Sequence, residues 1–156
     1  MELAFEKVPG VVSATSGFCG GNEQNPTYEQ VSSGFTGHVE SVSVRYDPRV
    51  VTYEKLLDVY WHNIDPLTDH AQFCDHGEQY RTAIFTIGPD QARLAAASLR
   101  AVESHFGQRV YTRVTPASRF WPAEAEHQDF AKRNPVRYEL YKMNCGRAER
   151  LGEVWK

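Results

Sequence analysis

The stretch that most constrains the chain is Phe73-Cys-Asp-His-Gly-Glu-Gln-Tyr-Arg-Thr-Ala-Ile-Phe85, where a polar loop dense in titratable groups runs directly into an apolar, β-prone segment. Asp75, His76 and Glu78 precede a strand-like run from Tyr80 to Phe85. Charged groups then sit at the mouth of a sheet, where a rigid scaffold presents function. Gly37-His38-Val39-Glu40 makes a second mouth: Val42, Val44 and Tyr46 alternate with Ser41, Ser43 and Arg45, the period of a half-buried strand. Each of the two strand mouths carries a carboxylate.

The flanking segments supply the remaining elements. Glu2 to Lys7 reads as a short helix stopped by Pro9-Gly10, and Val11 to Phe18 as a strand. Gly20-Gly21-Asn22 and Asn25-Pro26 make a loop, after which Thr27 caps a short helix through Val31. Tyr53, Leu56, Leu57, Tyr60, Trp61 and Ile64 share one face of an amphipathic helix. Asp65 to Gln79 has no periodicity of its own and reads as a functional loop. Gly88-Pro89-Asp90 starts a helix with Ala92, Ala95, Leu99, Val102 and Phe106 on its face, stopped by Gly107. Val110 to Val114 reads as a strand and Pro122 to Lys132 as a helix ended by Asn134-Pro135; the remainder to Lys156 is charged, with scattered aromatics. This mixed order of strands and helices predicts an α+β, two-layer α/β sandwich with long loops.

Length and charge exclude several function classes. At 156 residues with 41% hydrophobic content, the chain suits one domain, residues 1–156. A net charge of -3 without a cluster of Lys and Arg gives no footprint for nucleic acid. No apolar run approaches the roughly 20 residues of a membrane span. The start lacks the basic-then-apolar order of a signal peptide, so the expected location is cytoplasmic. Three widely spaced cysteines, Cys19, Cys74 and Cys145, fit free thiols in a reducing compartment better than a disulfide framework. A metal site drawn from His38, Glu40, His62, His70, Cys74 and His76 lacks any Cys-x-x-Cys or His-x-x-x-His pairing, and no metal is expected.

Gly20-Gly21, Asn25-Pro26-Thr27-Tyr28, Gly37-His38-Val39-Glu40, Tyr46-Asp47-Pro48, Asp75-His76-Gly77-Glu78-Gln79-Tyr80-Arg81 and Asn134-Pro135 resemble, in this order, the A-type peptide methionine sulfoxide reductases. The resemblance covers essentially the whole chain and implies a ferredoxin-like core. It also implies thiol-dependent reduction of the S epimer of methionine sulfoxide, free or in oxidised proteins, as repair of oxidative damage. No bound cofactor is implied, only an external thiol reductant such as thioredoxin or dithiothreitol, and the expected state is a monomer.

The chemistry of that reaction asks for what these residues offer. A thiolate attacks the sulfoxide sulfur while the oxygen is protonated, so a nucleophile, a neutral acid and hydroxyl donors are needed. Glu40 is the expected acid, held protonated by an apolar surround although a free Glu titrates near 4.3. By resemblance Tyr28 and Tyr80 hydrogen-bond the sulfoxide oxygen, and Asp75 orders the pocket or the attacking sulfur. His38 is expected as a buried support of the Glu40 strand rather than as a catalytic base, while His127 is left open, a buttress from the last helix being the less favoured of its readings.

The family's nucleophile lies in a Gly-Cys-Phe-Trp motif just upstream of the point where Met1 aligns. As written, the chain is therefore expected to lack the attacking thiol and its leading strand, to leave a gap or edge in the sheet, and to be inactive. Three readings stand: the start is misplaced, the chain is shortened, or the product keeps the pocket without the thiol, as a non-catalytic module that binds oxidised methionine. Of the remaining cysteines, Cys19 reads as a turn residue and Cys74 as an inert loop thiol beside Asp75. Cys145, near Lys142, Arg147 and Arg150, is the candidate resolving thiol, against an idle surface position.

Overall fold

Capping chemistry and glycine placement set the element boundaries in the computed structural model, which describes residues 1–156 apart from the side chain of Glu126. A short helix, α1 (Glu2–Glu6), leads into strand β1 (Val11–Cys19). The Thr27 hydroxyl accepts from the Gln30 N–H while the Gln30 side chain accepts from the Thr27 N–H, a reciprocal cap that starts α2 (Tyr28–Ser32). Strand β2 (Val39–Tyr46) follows, and Thr52 caps α3 (Tyr53–Trp61) by accepting from Lys55. Next come β3 (Ala71–Gln72), β4 (Asp75–His76), β5 (Ala83–Thr86), α4 (Gly88–Phe106), β6 (Arg113–Pro116) and β7 (Trp121–Pro122). The last three elements are α5 (Phe130–Arg133), α6 (Pro135–Asn144) and α7 (Arg147–Val154).

Helix and strand mix as the α+β reading expects, and several boundaries move for identifiable reasons. Tyr80 does not begin a strand: Glu78–Tyr80 form a tight helical turn after Gly77, whose φ of 137° suits glycine, and pairing starts only at Ala83. The segment from Asp65 to Gln79 contains the β3–β4 hairpin. Val110, expected in a strand, is a buried core residue ahead of it, since the parallel partners of β5 begin at Arg113. The helix expected from Pro122 to Lys132 is interrupted twice. Pro122 pairs with Gly17 in a sheet, and Asp129 at φ 53° breaks the chain before α5. The tail read as charged with scattered aromatics forms α6 and α7.

β1 runs antiparallel to β2 over most of its length and meets β7 on its other edge; β5 and β6 pair in parallel through α4. Residues of β2 and β5 both line one cavity of about 860 Å³, on whose wall α1 and α3 also lie. The main core gathers Leu57, Trp61 and Ile64 of the α3 segment with Ile84, Ala95, Val102 and Val110. Trp61 donates to the Ser98 hydroxyl at 3.0 Å, so its polar edge is satisfied while its body is buried. A second cluster, Phe5, Val51 and Leu56, takes the inward row Val42, Val44 and Tyr46 of β2. Among the described residues no helix is long and apolar enough to cross a membrane.

Candidate active site

Glu40 stands at the start of β2 on the face that carries Val42, Val44 and Tyr46, because alternate residues of a strand point the same way. Directly across the sheet its partner is Phe18 of β1, which is only 2% exposed. Both line the cavity. Burial pushes the Glu40 carboxyl up to about 7 from an ordinary value of 4.5, and the nearby Asp75 carboxylate adds to the rise. Glu40 therefore holds its proton much closer to neutral pH than a solvated glutamate does.

Two phenols join it. Tyr28, at the start of α2, is placed by the reciprocal Thr27–Gln30 cap, and its N–H donates to Glu124 at 3.4 Å. Tyr80 ends the tight turn after Gly77. Its phenol is pushed up first by burial, then by the Glu40 carboxylate, and further by Tyr28 through charge and a hydrogen bond, with Asp75 the smallest contribution. One ring's chemistry thus registers all four expected site residues, which share the lining of the cavity. His127 stacks on Tyr28 with ring centroids 4.6 Å apart and planes at 19°, from a short helical turn rather than from a longer helix.

The loop between β1 and β2 is fixed by His38. Its Nδ1 accepts from the Gly21 N–H at 3.1 Å, which leaves Nε2 to donate to the Glu23 carbonyl at 2.7 Å. The ring is 2% exposed and locks the exit of β1 to the entry of β2, two residues before Glu40. Gly21 is required there: a Cβ would lie 2.4 Å from the Thr36 carbonyl oxygen and 2.5 Å from the His38 nitrogen.

The cysteines depart from the free-thiol expectation. Cys74 and Cys145, 71 residues apart in sequence, are joined in a disulfide, so neither the inert thiol at Cys74 nor the thiolate at Cys145 is present in this state. Two of the three cations expected to favour a Cys145 thiolate are engaged elsewhere. Arg147 lies over the Phe73 ring at 4.7 Å and donates to the Asn63 carbonyl at 2.7 Å, while Arg150 pairs with Asp65 at 2.8 Å. Cys19 is a buried free thiol whose sulfur faces the Ser118 carbonyl at 3.6 Å. The site residue that sequence reasoning missed is Tyr141 of α6, whose phenol donates a hydrogen bond to the Asp75 carboxylate. The helical spacing of Tyr138, Tyr141 and Cys145 was its only signal.

The histidines, Glu40 and Cys74 considered as metal ligands are not brought together. Among the described residues the convergent set is Glu2, Glu6 and Asp129. Lys132 already pairs with Glu6 there at 2.8 Å.

A family model described as peptide methionine sulfoxide reductase matches residues 1–156. The chain is 45% identical over 157 residues to peptide methionine sulfoxide reductase MsrA of Halalkalibacterium halodurans, a match covering 99% of this chain and 89% of that protein. It is 44% identical over 156 residues to MsrA/MsrB of Vibrio cholerae, again over 99% of this chain but spanning only 41% of that longer protein. Among solved structures, Mxr1 from Saccharomyces cerevisiae in reduced form matches with a TM-score of 0.81 at 27% identity, covering 86% of this chain and 79% of that one. Methionine sulfoxide reductase A of Corynebacterium diphtheriae matches with a TM-score of 0.77 at 35% identity, over 86% and 69% of the two chains.

Proposed function

Because the chain belongs to the peptide methionine sulfoxide reductase family, we propose that its cavity binds the S epimer of a methyl sulfoxide, with Glu40 as the proton donor to the sulfoxide oxygen. The observation that carries this reading is geometric: the Glu40 carboxyl, which burial pushes up to about 7, lines one cavity with the phenols of Tyr28 and Tyr80 and with Asp75. Tyr28 and Tyr80 donate to the oxygen, and Asp75 keeps the Glu40 proton in place by its charge. A thiolate attacks sulfur as the oxygen is protonated, forming an S–S bond; the S–O bond then breaks and the hydroxyl bonds to the attacking sulfur as the S–S bond breaks, so that the thioether leaves with that electron pair and the thiol is left as a sulfenic acid. Oxidoreductase chemistry of this kind balances with one thiol oxidised for each sulfoxide reduced, and a second thiol condenses with the sulfenic acid to release water.

The attacking thiol in this account is the family's Gly-Cys-Phe-Trp cysteine, a motif that residues 1–156 do not contain. Cys145 serves as resolving cysteine only once its bond to Cys74 has been reduced. Thioredoxin or dithiothreitol is the external reductant, oxidised proteins and free methionine sulfoxide are the substrates, and the setting is oxidative repair by a cytoplasmic monomer folded as one domain. A disulfide is compatible with that compartment when it is catalytic or redox-responsive. The alternative of a module that only binds oxidised methionine is not favoured by relatives named as reductases.

Titration of the chain with the S and R epimers of N-acetylmethionine sulfoxide, followed by NMR shifts, tests the reading. The S epimer is expected to bind more tightly and to move the Tyr28, Glu40 and Tyr80 resonances, with Tyr80→Phe weakening it up to about tenfold, the worth of one hydrogen bond. Equal binding of both epimers, or shifts confined to other surfaces, would contradict it.

A further inference from the structure

Helix α6 fully buries none of its side chains, so its position depends on a few specific ties rather than on a packed face. Two of those ties meet at the site. The Cys74–Cys145 disulfide fastens the C-terminal end of α6 to the loop, and one turn earlier Tyr141 donates to the carboxylate of Asp75, the residue after Cys74. Tyr141 and Cys145 are four apart, on one stripe of the helix, and therefore address the same stretch of loop. The Tyr141 phenol is pushed up by burial and then by its bond to Asp75 and that group's charge, and the Glu40 charge reaches it as well.

We propose that Tyr141 is a positioning residue of this site, holding the Asp75 carboxylate against Glu40, and that the Cys74–Cys145 disulfide is the redox-sensitive clasp that keeps it there. This rests on the reading of Glu40 as the acid. The clasp opens by exchange with a small dithiol: one thiolate attacks a sulfur of the pair, the S–S bond breaks, and the second thiol closes the dithiol into its own disulfide. Two electrons and two protons pass to the protein, leaving Cys74 and Cys145 as thiols. With α6 released, Asp75 is free to turn to solvent and its field at Glu40 weakens. The reductant that regenerates a thiol enzyme would then also loosen the wall of its proton-donating pocket.

The ionisable groups that reach this cluster are Asp75 from the loop, Tyr28 from α2, Tyr80 from the turn before β5, Tyr141 from α6 and, acting on Tyr141, Arg147 from α7. Of these only Asp75 adds a charge that raises Glu40, so loss of its partner has a definite sign.

The test is the titration midpoint of the Glu40 carboxyl, read by carbon-13 NMR on the 156-residue chain, oxidised and after reduction with dithiothreitol. Tyr141→Phe, which keeps the ring and removes only the donor, is expected to lower the midpoint by about half a pH unit, roughly a threefold loss of proton affinity. Reduction of the unaltered chain should lower it in the same direction. Reduction of Tyr141→Phe should add little, because both act through Asp75. A midpoint that stays raised under both changes overturns the proposal, even where Tyr141→Phe lowers the unfolding temperature, since a merely structural tyrosine would do that alone. A midpoint already in the ordinary carboxylate range in the unaltered, oxidised chain instead overturns the reading of Glu40 as the acid. If Tyr141→Phe fails to fold, the reduced unaltered chain decides.

Discussion

Phe18 and Glu40 face each other across β1 and β2 as directly opposed residues of an antiparallel pair, so their side chains leave the sheet on the same side. An aromatic ring that is 2% exposed is thus the cross-strand neighbour of a carboxyl held at about 7. The sheet register contributes in this way to the apolar surround that acid chemistry at neutral pH requires, beside the charge of Asp75.

Replacing Phe18 tests that cause. Phe18→Leu keeps the neighbourhood apolar and should leave the Glu40 midpoint near its original value. Phe18→Ala opens room for water and should bring the midpoint down from about 7 toward 4.5. The alanine should also cost about 3–5 kcal/mol of stability, as large-to-small changes of buried aromatics do. NMR titration and denaturant unfolding of the two variants provide the readouts, and equal midpoints in both would remove Phe18 as the cause.

The same carboxyl makes stability depend on pH. Glu40 binds its proton more tightly in the folded chain, at about 7, than at the ordinary 4.5 of the unfolded chain. Its favourable contribution is therefore fully present below about 4.5 and is lost as pH rises through about 7. Between pH 5 and pH 8 the unaltered chain should lose roughly 2–3 kcal/mol more than Glu40→Gln, which has no such proton to lose. Urea unfolding of both proteins at the two pH values measures the difference directly; parallel losses would mean that Glu40 titrates normally.

Gly21 and Gly34 offer a contrast within one loop region. At Gly34, with φ of 80° and nothing within 4 Å of an added Cβ, alanine should cost only backbone strain, about 1 kcal/mol. At Gly21 an added Cβ meets backbone atoms of Thr36 and His38, which cannot swing aside, and about 3 kcal/mol is expected. Gly21→Ala should also disturb the Gly21–His38 hydrogen bond and with it the entry of β2. Unfolding midpoints of the two variants separate these cases, and equal losses would argue against the close approach.

Much of the site could be read from residues near one another in sequence. The alternation from Glu40 to Tyr46 already assigns Glu40 to the apolar face, and the Thr27 cap already places Tyr28 at a helix start. The family motifs then joined these pieces to Asp75 and Tyr80. What escaped depends on distant partners. Nothing local distinguishes Cys74 from a free thiol, because its partner lies 71 residues away. Tyr141 matters only because α6 returns to the Asp75 loop. Pro122 and Asp129 broke an expected helix for reasons of sheet pairing and backbone conformation that helical periodicity does not carry.

The central claim is that a neutral Glu40 donates its proton toward a sulfoxide oxygen, and the most direct measurement is the Glu40 titration curve with and without saturating N-acetylmethionine S-sulfoxide. A midpoint near 7 in the free chain that rises further on binding is the predicted result, since a ligand oxygen that accepts from the protonated form binds that form more tightly. A midpoint near 4.5, or one that the S epimer leaves unmoved or lowers, would contradict it.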